Sequence, residues 1–113
     1  MKLKELTKKL SLIIRCGENT LDTEITGGYV SDLLSDVINN AQKGDVWVTM
    51  QVHVNIVAVA VLKEVAAIII VQGREPNEDT LKKAKEENIP ILVSKLPAFQ
   101  LVGKLYESGI GKT

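Results

Sequence analysis

The polar side chains that could do chemistry follow the predicted strands of this sequence, at the points where those strands end. The carboxyl ends of parallel strands meet at one edge of an open α/β sheet, and ligands bind outside that edge. We therefore predict a rim that binds a small anionic metabolite or nucleotide, formed by Tyr29, Ser31, Asp32, Thr49, Gln51, His53, Asn55, Arg74 and Lys95. The alternative is a structural role, because strand ends and helix caps are polar in every α/β protein.

Three short motifs resemble parts of catalytic or phosphate-binding sites, but each lacks a required feature. "TGGYVSD" has two adjacent glycines and no third, so it does not match a dinucleotide-binding loop. Ser31 stands in "YVSDL" without the glycines of a nucleophile elbow, and we predict that it caps the following helix. The C-terminal "SGIGKT" resembles the end of a phosphate-binding loop, yet Tyr106 stands where that loop needs glycine.

The remaining candidates for catalysis are one histidine and a few acids. His53 could act as a general base, but a lone histidine where a loop meets a helix is more often a hydrogen-bonded structural group. One histidine and one cysteine cannot build a zinc site. Asp32, Asp36 and Glu75 could hold a magnesium ion with a substrate phosphate, although nothing in their spacing fixes that geometry. We predict no catalytic residue, no metal site and no cofactor.

The composition is that of a globular domain, and we expect a single domain over residues 1–113. Fourteen basic residues balance fourteen acidic ones, which argues against nucleic-acid or anionic-membrane partners. The lone Cys16 and an N-terminus without a signal peptide suggest a reducing cytoplasm. Lys63 and Glu64 interrupt the apolar run over 54–71, so we interpret that run as a buried helix and strand and not as a membrane span.

The hydrophobic periodicity alternates between strand and helix along the chain. The sequence predicts strands at 11–15, 24–30, 45–50, 66–71 and 89–94, and helices at 3–10, 31–41, 56–64, 77–88 and 96–108. Asn55 and Asn77 are expected to cap their helices, while residues 51–55 could be strand or loop. The pattern predicts an α/β fold of three layers, in which a mainly parallel sheet is flanked by helices.

The stretch from Leu21 to Ser94 closely resembles the DRTGG domain family. The name motif survives as "TGG", Thr26 to Gly28, with Glu24-Ile25 where Asp-Arg stands in the name. The best matching blocks are "GGYVSDLLSDV", "GDVWVT", H-x-N-I-V-A-V-A and "AAIIIVQGREP". The family is related in fold to the N-terminal domain of HPr kinase/phosphorylase, and more distantly similar to those of Mur ligases.

The resemblance implies a homodimeric α/β domain without a kinase active site. No catalytic residues are established for the family, so it adds none here. DRTGG domains occur beside CBS domains in regulatory pyrophosphatases, which implies a non-catalytic, ligand-sensing role. Free-standing versions accompany iron hydrogenase and histidine-kinase genes, so a redox-enzyme or signalling partner is also expected.

Two other functions remain open at this stage. The chain could be a dimerisation or protein-interaction subunit that uses an apolar surface around Trp47 and the helix at 56–64. It could also be an enzyme acting on a phosphorylated substrate, which would require charged groups that converge on His53.

Overall fold

A computed structural model describes residues 1–111, which form five α-helices and five strands, with a short 3-10 helix (Glu18–Thr20) between the first two strands. The helices are α1 (Leu3–Lys9), α2 (Leu34–Asn40), α3 (Asn55–Lys63), α4 (Glu78–Glu86) and α5 (Ala98–Glu107). The strands are β1 (Ile13–Cys16), β2 (Gly27–Val30), β3 (Asp45–Thr49), β4 (Ala67–Ile70) and β5 (Ile91–Val93). Lys112 and Thr113, which end the predicted "SGIGKT" motif, lie outside the described residues.

The strands form one sheet in the order β1-β5-β4-β3-β2. Strands β2 to β5 are parallel to one another, whereas β1 runs antiparallel to β5 at one edge. Ile13 at the start of β1 therefore lies opposite Val93 at the end of β5. This topology confirms the predicted α/β fold with a mainly parallel sheet.

Every residue of β3, β4 and β5 is buried, so the sheet needs cover on both faces. Trp47, Ile68 and Ile70 belong to the core beneath α2, α3 and α4. Val48 and Ile69 point the other way, into the core beneath α1 and α5. The result is the predicted arrangement of three layers. No helix within residues 1–111 has the length and apolar character needed to cross a bilayer.

Helix α2 begins later than the sequence predicts, and the cap residues of α2 and α3 differ from the predicted ones. The cap of α2 is Leu33 and not Ser31, because the Ser31 hydroxyl accepts the Leu33 N–H (3.2 Å) in a tight turn before the helix. The Ser31 carbonyl also accepts the indole N–H of Trp47 (2.9 Å), which holds this residue outside the helix. Asn55 lies inside α3, whose cap is Val54, so its predicted capping role is also wrong.

Other boundaries answer the questions that the sequence leaves open. Asn77 occupies the cap position of α4, as predicted, but its side chain contacts His53 and makes no capping hydrogen bond. Residues 51–55 leave the sheet, because β3 ends at Thr49 and α3 begins at Asn55. Trp47 is 0% exposed, so the prediction that it contributes to a docking surface is wrong. Its position in β3, beneath the helices of one face, is the physical reason.

The threonine of the "TGG" motif fastens the turn between α2 and β3. The Thr26 N–H donates to the Gly44 carbonyl (3.0 Å), and the Thr26 hydroxyl donates to the Lys43 carbonyl (2.9 Å). Gly44 has a φ of +85°, which favours glycine, and a side chain there would collide with Thr26. Both residues therefore serve the same turn.

The two glycines of the motif make room for neighbouring side chains. A Cβ on Gly27 would lie 2.7 Å from an Asp45 carboxylate oxygen, and that carboxylate also accepts the Gln42 N–H (2.8 Å). A Cβ on Gly28 would lie 3.4 Å from a methyl group of Ile110. The motif thus packs β2 tightly against β3 and the segment after α5.

Gly44→Ala should destabilise the protein by about 2 kcal/mol or more, because alanine is strained at positive φ and would displace Thr26. The matched control is Gly103→Ala in α5, where a Cβ meets nothing within 4 Å. That change should be neutral or stabilising by up to about 1 kcal/mol. Urea denaturation measures both free energies of unfolding, and equal effects would contradict the steric role of Gly44.

Candidate functional site

The predicted rim exists as one edge of the sheet, where the parallel strands end at Val30, Thr49, Ile70 and Val93. The antiparallel β1 begins at this same edge, opposite the end of β5. The predicted site residues do not form one cluster there. They divide into a polar network, two residues that contact α2, a histidine that pairs with an asparagine, and two separate cations.

The polar network joins Asp32, Thr49 and Gln51. The Asp32 carboxylate accepts the Thr49 hydroxyl (2.8 Å) and the Met50 N–H (2.7 Å). The Gln51 side-chain amide donates to the Asp32 carbonyl (2.9 Å), and the Gln51 N–H donates to the Thr49 hydroxyl oxygen (3.1 Å). Because these groups bond one another, they fix the loop after β3 and offer a ligand few unsatisfied atoms.

Tyr29 and Ser31 contact α2 and the residue that caps it, and they do not line a common ligand site. The Tyr29 hydroxyl lies 2.8 and 2.9 Å from the two carboxylate oxygens of Asp36 and donates to them. The nearby Ser31 hydroxyl, together with Tyr29 and Asn40, holds the pKa of Asp36 below its ordinary value. The hydrogen bond to Asp36 in turn raises the pKa of Tyr29. This interaction fastens α2 to the edge strand.

His53 is exposed and lies 3.3 Å, through Nδ1, from the side-chain nitrogen of Asn77. The loop that carries it is anchored at Val52, whose carbonyl accepts the Asn77 N–H (3.1 Å) and the Thr80 hydroxyl (2.7 Å). Asn55, two residues later, is exposed on the first turn of α3. The pair fits the structural interpretation of His53 better than a general base.

The acids considered for magnesium lie apart. Both carboxylate oxygens of Glu75 accept hydrogen bonds from the Arg15 guanidinium (2.7 and 2.6 Å). Asp36 is held by Tyr29, and Asp32 by the network after β3. Within residues 1–111, no group of three acidic, histidine or cysteine side chains is placed to hold a metal ion.

The two rim cations, Arg74 and Lys95, are exposed, and neither forms a salt bridge with the described part of the chain. Lys95 lines a cavity of about 300 Å³, and two further lysines, Lys9 of α1 and Lys104 of α5, line it as well. Sequence reasoning missed these two, because it searched strand ends and they lie on helices. Predicting that β1 is antiparallel would have indicated Lys9, because that direction brings the C-terminal end of α1 to the rim.

A second cavity, of about 270 Å³, lies between β2 and α5. We call it the β2–α5 groove. Its lining is mostly apolar and comes from Gly28, Tyr29, Val30, Val48, Val102, Leu105, Tyr106, Ile110 and Gly111. It offers an apolar contact surface and carries no cationic side chain.

The model of the DRTGG domain matches residues 5–108. The chain belongs to the DRTGG domain family. Its fold also matches the crystal structure of the CBS and DRTGG domains of the regulatory region of Clostridium perfringens pyrophosphatase, which is complexed with its activator, diadenosine tetraphosphate. The TM-score is 0.72 at 17% identity, and the match covers 90% of this chain and 44% of that one. No curated protein sequence matches the chain.

The polar network of this DRTGG domain can be tested as a structural element. Asp32→Ala should lower the free energy of unfolding by about 1–3 kcal/mol, because the buried Thr49 hydroxyl and the Met50 N–H lose their acceptor. Asp32→Asn retains an acceptor oxygen and should cost less. Urea denaturation of both variants measures the difference, and an unchanged stability in Asp32→Ala would leave this residue available for another role.

Proposed function

We propose that this DRTGG domain is a non-catalytic regulatory domain that senses a small anionic metabolite or nucleotide at the strand-end rim. The observation that carries the proposal is the pair of rim cations, Arg74 and Lys95, which have no acidic partner within residues 1–111. Unpaired cationic side chains beside strand ends attract anions, whereas most of the other rim groups already form hydrogen bonds within the domain.

Two observations support a regulatory role over the alternative of an enzyme acting on a phosphorylated substrate. That enzyme would need charged groups beside His53, and its hydrogen-bonding neighbour in the described residues is the neutral Asn77. The structural neighbour is itself part of a regulatory region complexed with a nucleotide activator. Because this chain spans less than half of that neighbour, the likeness supports the class of function and identifies no ligand.

A cytoplasmic location is part of the same proposal. Cys16 is buried and free, its thiol donates to the Ile89 carbonyl (3.3 Å), and burial raises the pKa of the thiol. A buried, unactivated thiol suits a reducing compartment. The regulated partner would be another cytoplasmic protein, such as a redox enzyme or a signalling protein.

Phosphorylated metabolites and nucleotides should raise the midpoint of thermal unfolding by several degrees at saturating concentration, because they bind the folded state. Differential scanning fluorimetry can compare inorganic phosphate, pyrophosphate, ADP and sugar phosphates with adenosine and unphosphorylated sugars. Sodium chloride at equal ionic strength is the control for charge screening. If no anion stabilised the protein more than its neutral counterpart, the sensing function would be wrong.

A specific observation also supports the second candidate function, assembly of the domain with a second copy of itself. Within residues 1–111, no strand pairs with the outer edge of β2. The β2 sequence "GGYV" contains no charge or proline, the usual means of protecting an edge strand from pairing. Val30 and Leu33 beside this edge are 49% and 64% exposed.

A second copy fits this edge for reasons of symmetry and charge. Two β2 edges can pair across a twofold axis, because the same surface then meets itself. The formal net charge of the chain is zero, so two copies repel each other little. The β2–α5 groove lies beside the edge and adds apolar area to such an interface.

The wild-type protein should therefore be a dimer in native mass spectrometry, and Val30→Lys should convert it to a monomer by placing a charge in the interface. The matched control is Leu62→Lys, because Leu62 of α3 is likewise an exposed apolar residue (64%, against 49% for Val30) but belongs to the alternative docking surface. Dissociation by Leu62→Lys alone would assign the interface to α3, and a monomeric wild type would contradict dimerisation.

A further inference from the structure

The cavity that contains Lys95 concentrates positive charge on a neutral protein. It lies between α1, α5 and the segment after β5, and three lysines, Lys9, Lys95 and Lys104, line it. No acidic side chain lines it, and none of the three ammonium groups forms a salt bridge within the described chain. We call this feature the three-lysine cavity.

The backbone beneath the three-lysine cavity is fixed by hydrogen bonds. The Ser94 N–H donates to the Ile70 carbonyl (2.8 Å), and the Ser94 carbonyl accepts the Gly73 N–H (2.8 Å). The Leu96 carbonyl accepts the Gln72 N–H (2.9 Å). Ser94 is 2% exposed, and its hydroxyl oxygen accepts the Leu96 N–H (3.1 Å), which leaves the hydroxyl hydrogen to donate. The cavity therefore has a rigid floor and a buried donor.

Three of the last four carbonyls of α1, which also borders the cavity, already accept hydrogen bonds from the turn that follows the helix. The carbonyls of Leu6, Thr7 and Lys8 accept the N–H groups of residues 10–12 at 3.0–3.4 Å. Lys9 and Ser11 from the same turn line the cavity. The polar side chains that α1 and the turn after it contribute are thus an ammonium and a hydroxyl, both of which can donate hydrogen bonds.

We propose that the three-lysine cavity is the site of anion recognition and that it binds a diphosphate group. This inference rests on the proposed function, since it assigns the sensed anion to one part of the rim and to one chemical class. A phosphate monoester carries about −1.5 to −2 charges at neutral pH, so three ammonium groups match a diphosphate better than one phosphate. A volume near 300 Å³ is at the small end of ligand pockets and suits the phosphates of a larger molecule.

The diphosphate could be free pyrophosphate or part of a nucleotide. Isothermal titration calorimetry with the full chain, in the absence of divalent cations, should compare inorganic pyrophosphate, ADP, inorganic phosphate and adenosine. Pyrophosphate and ADP should bind, inorganic phosphate should bind about tenfold more weakly, and adenosine should not bind. Tighter binding of ADP than of pyrophosphate would identify a nucleotide source, and the reverse order a free one.

Removing one lysine should weaken pyrophosphate binding by about tenfold, because one charge-assisted hydrogen bond is lost. The test variants are Lys9→Gln, Lys95→Gln and Lys104→Gln. Lys82→Gln, at an exposed position of α4 beyond the other face of the sheet, removes the same charge and should leave binding unchanged. Arg74→Gln removes a rim cation that does not line the cavity, and its effect should be small.

The outcomes separate this inference from the proposed function. If sugar phosphates stabilise the protein but pyrophosphate and ADP do not bind, the diphosphate assignment is wrong and the sensing function stands. If pyrophosphate binding depends on Arg74 and not on the three lysines, the cavity is the wrong site. If no anion binds or stabilises at all, both proposals fail. Amide shifts of residues 94–96 in ¹⁵N spectra, on addition of pyrophosphate, provide a check independent of the variants.

Discussion

Burial of β3, β4 and β5 on both faces is the constraint from which the rest of this architecture follows. Apolar side chains on alternate sides of three adjacent strands require helices above and below the sheet. Those helices cover the faces and leave the strand ends as the place where polar groups reach solvent. The proposed binding site therefore lies at this rim, where each polar side chain either holds a loop in place or remains available to a ligand.

Most of the polar side chains at the rim form hydrogen bonds within the domain and so hold its loops and helices in place. Asp32, Thr49 and Gln51 bond one another, and Tyr29 is committed to Asp36. The rim cations Arg74 and Lys95 form no ion pair within residues 1–111, and lysine and arginine carry only donors, so they cannot satisfy the N–H groups at loop and helix starts. A chain with zero formal net charge thereby acquires a local positive site, through the placement of its charges and not through their number.

The fold was predictable from sequence to a greater extent than the site. The continuous β-branched run that contains Ile69 indicates a strand buried on both faces, and the structure agrees. Ser31 has the residue type of a helix cap, but the tertiary bond from Trp47 to its carbonyl moves the helix start, and local pattern does not encode that bond. Lys9 joins Lys95 because β1 is antiparallel, a pairing direction that periodicity does not report, and Lys104 joins them from α5, away from the strand ends.

The pairing of β1 with β5 joins segments near opposite ends of the chain. Contacts of such long sequence separation pay a large loop-closure entropy, so we expect this edge of the sheet to form late in folding. Lys9, Lys95 and Lys104 meet at that same edge. A molecule bound between them would draw the equilibrium towards the completed sheet by mass action, and its release would lower the free energy needed for local opening there. On that expectation, occupancy of the proposed site would report whether this last edge of the sheet has formed.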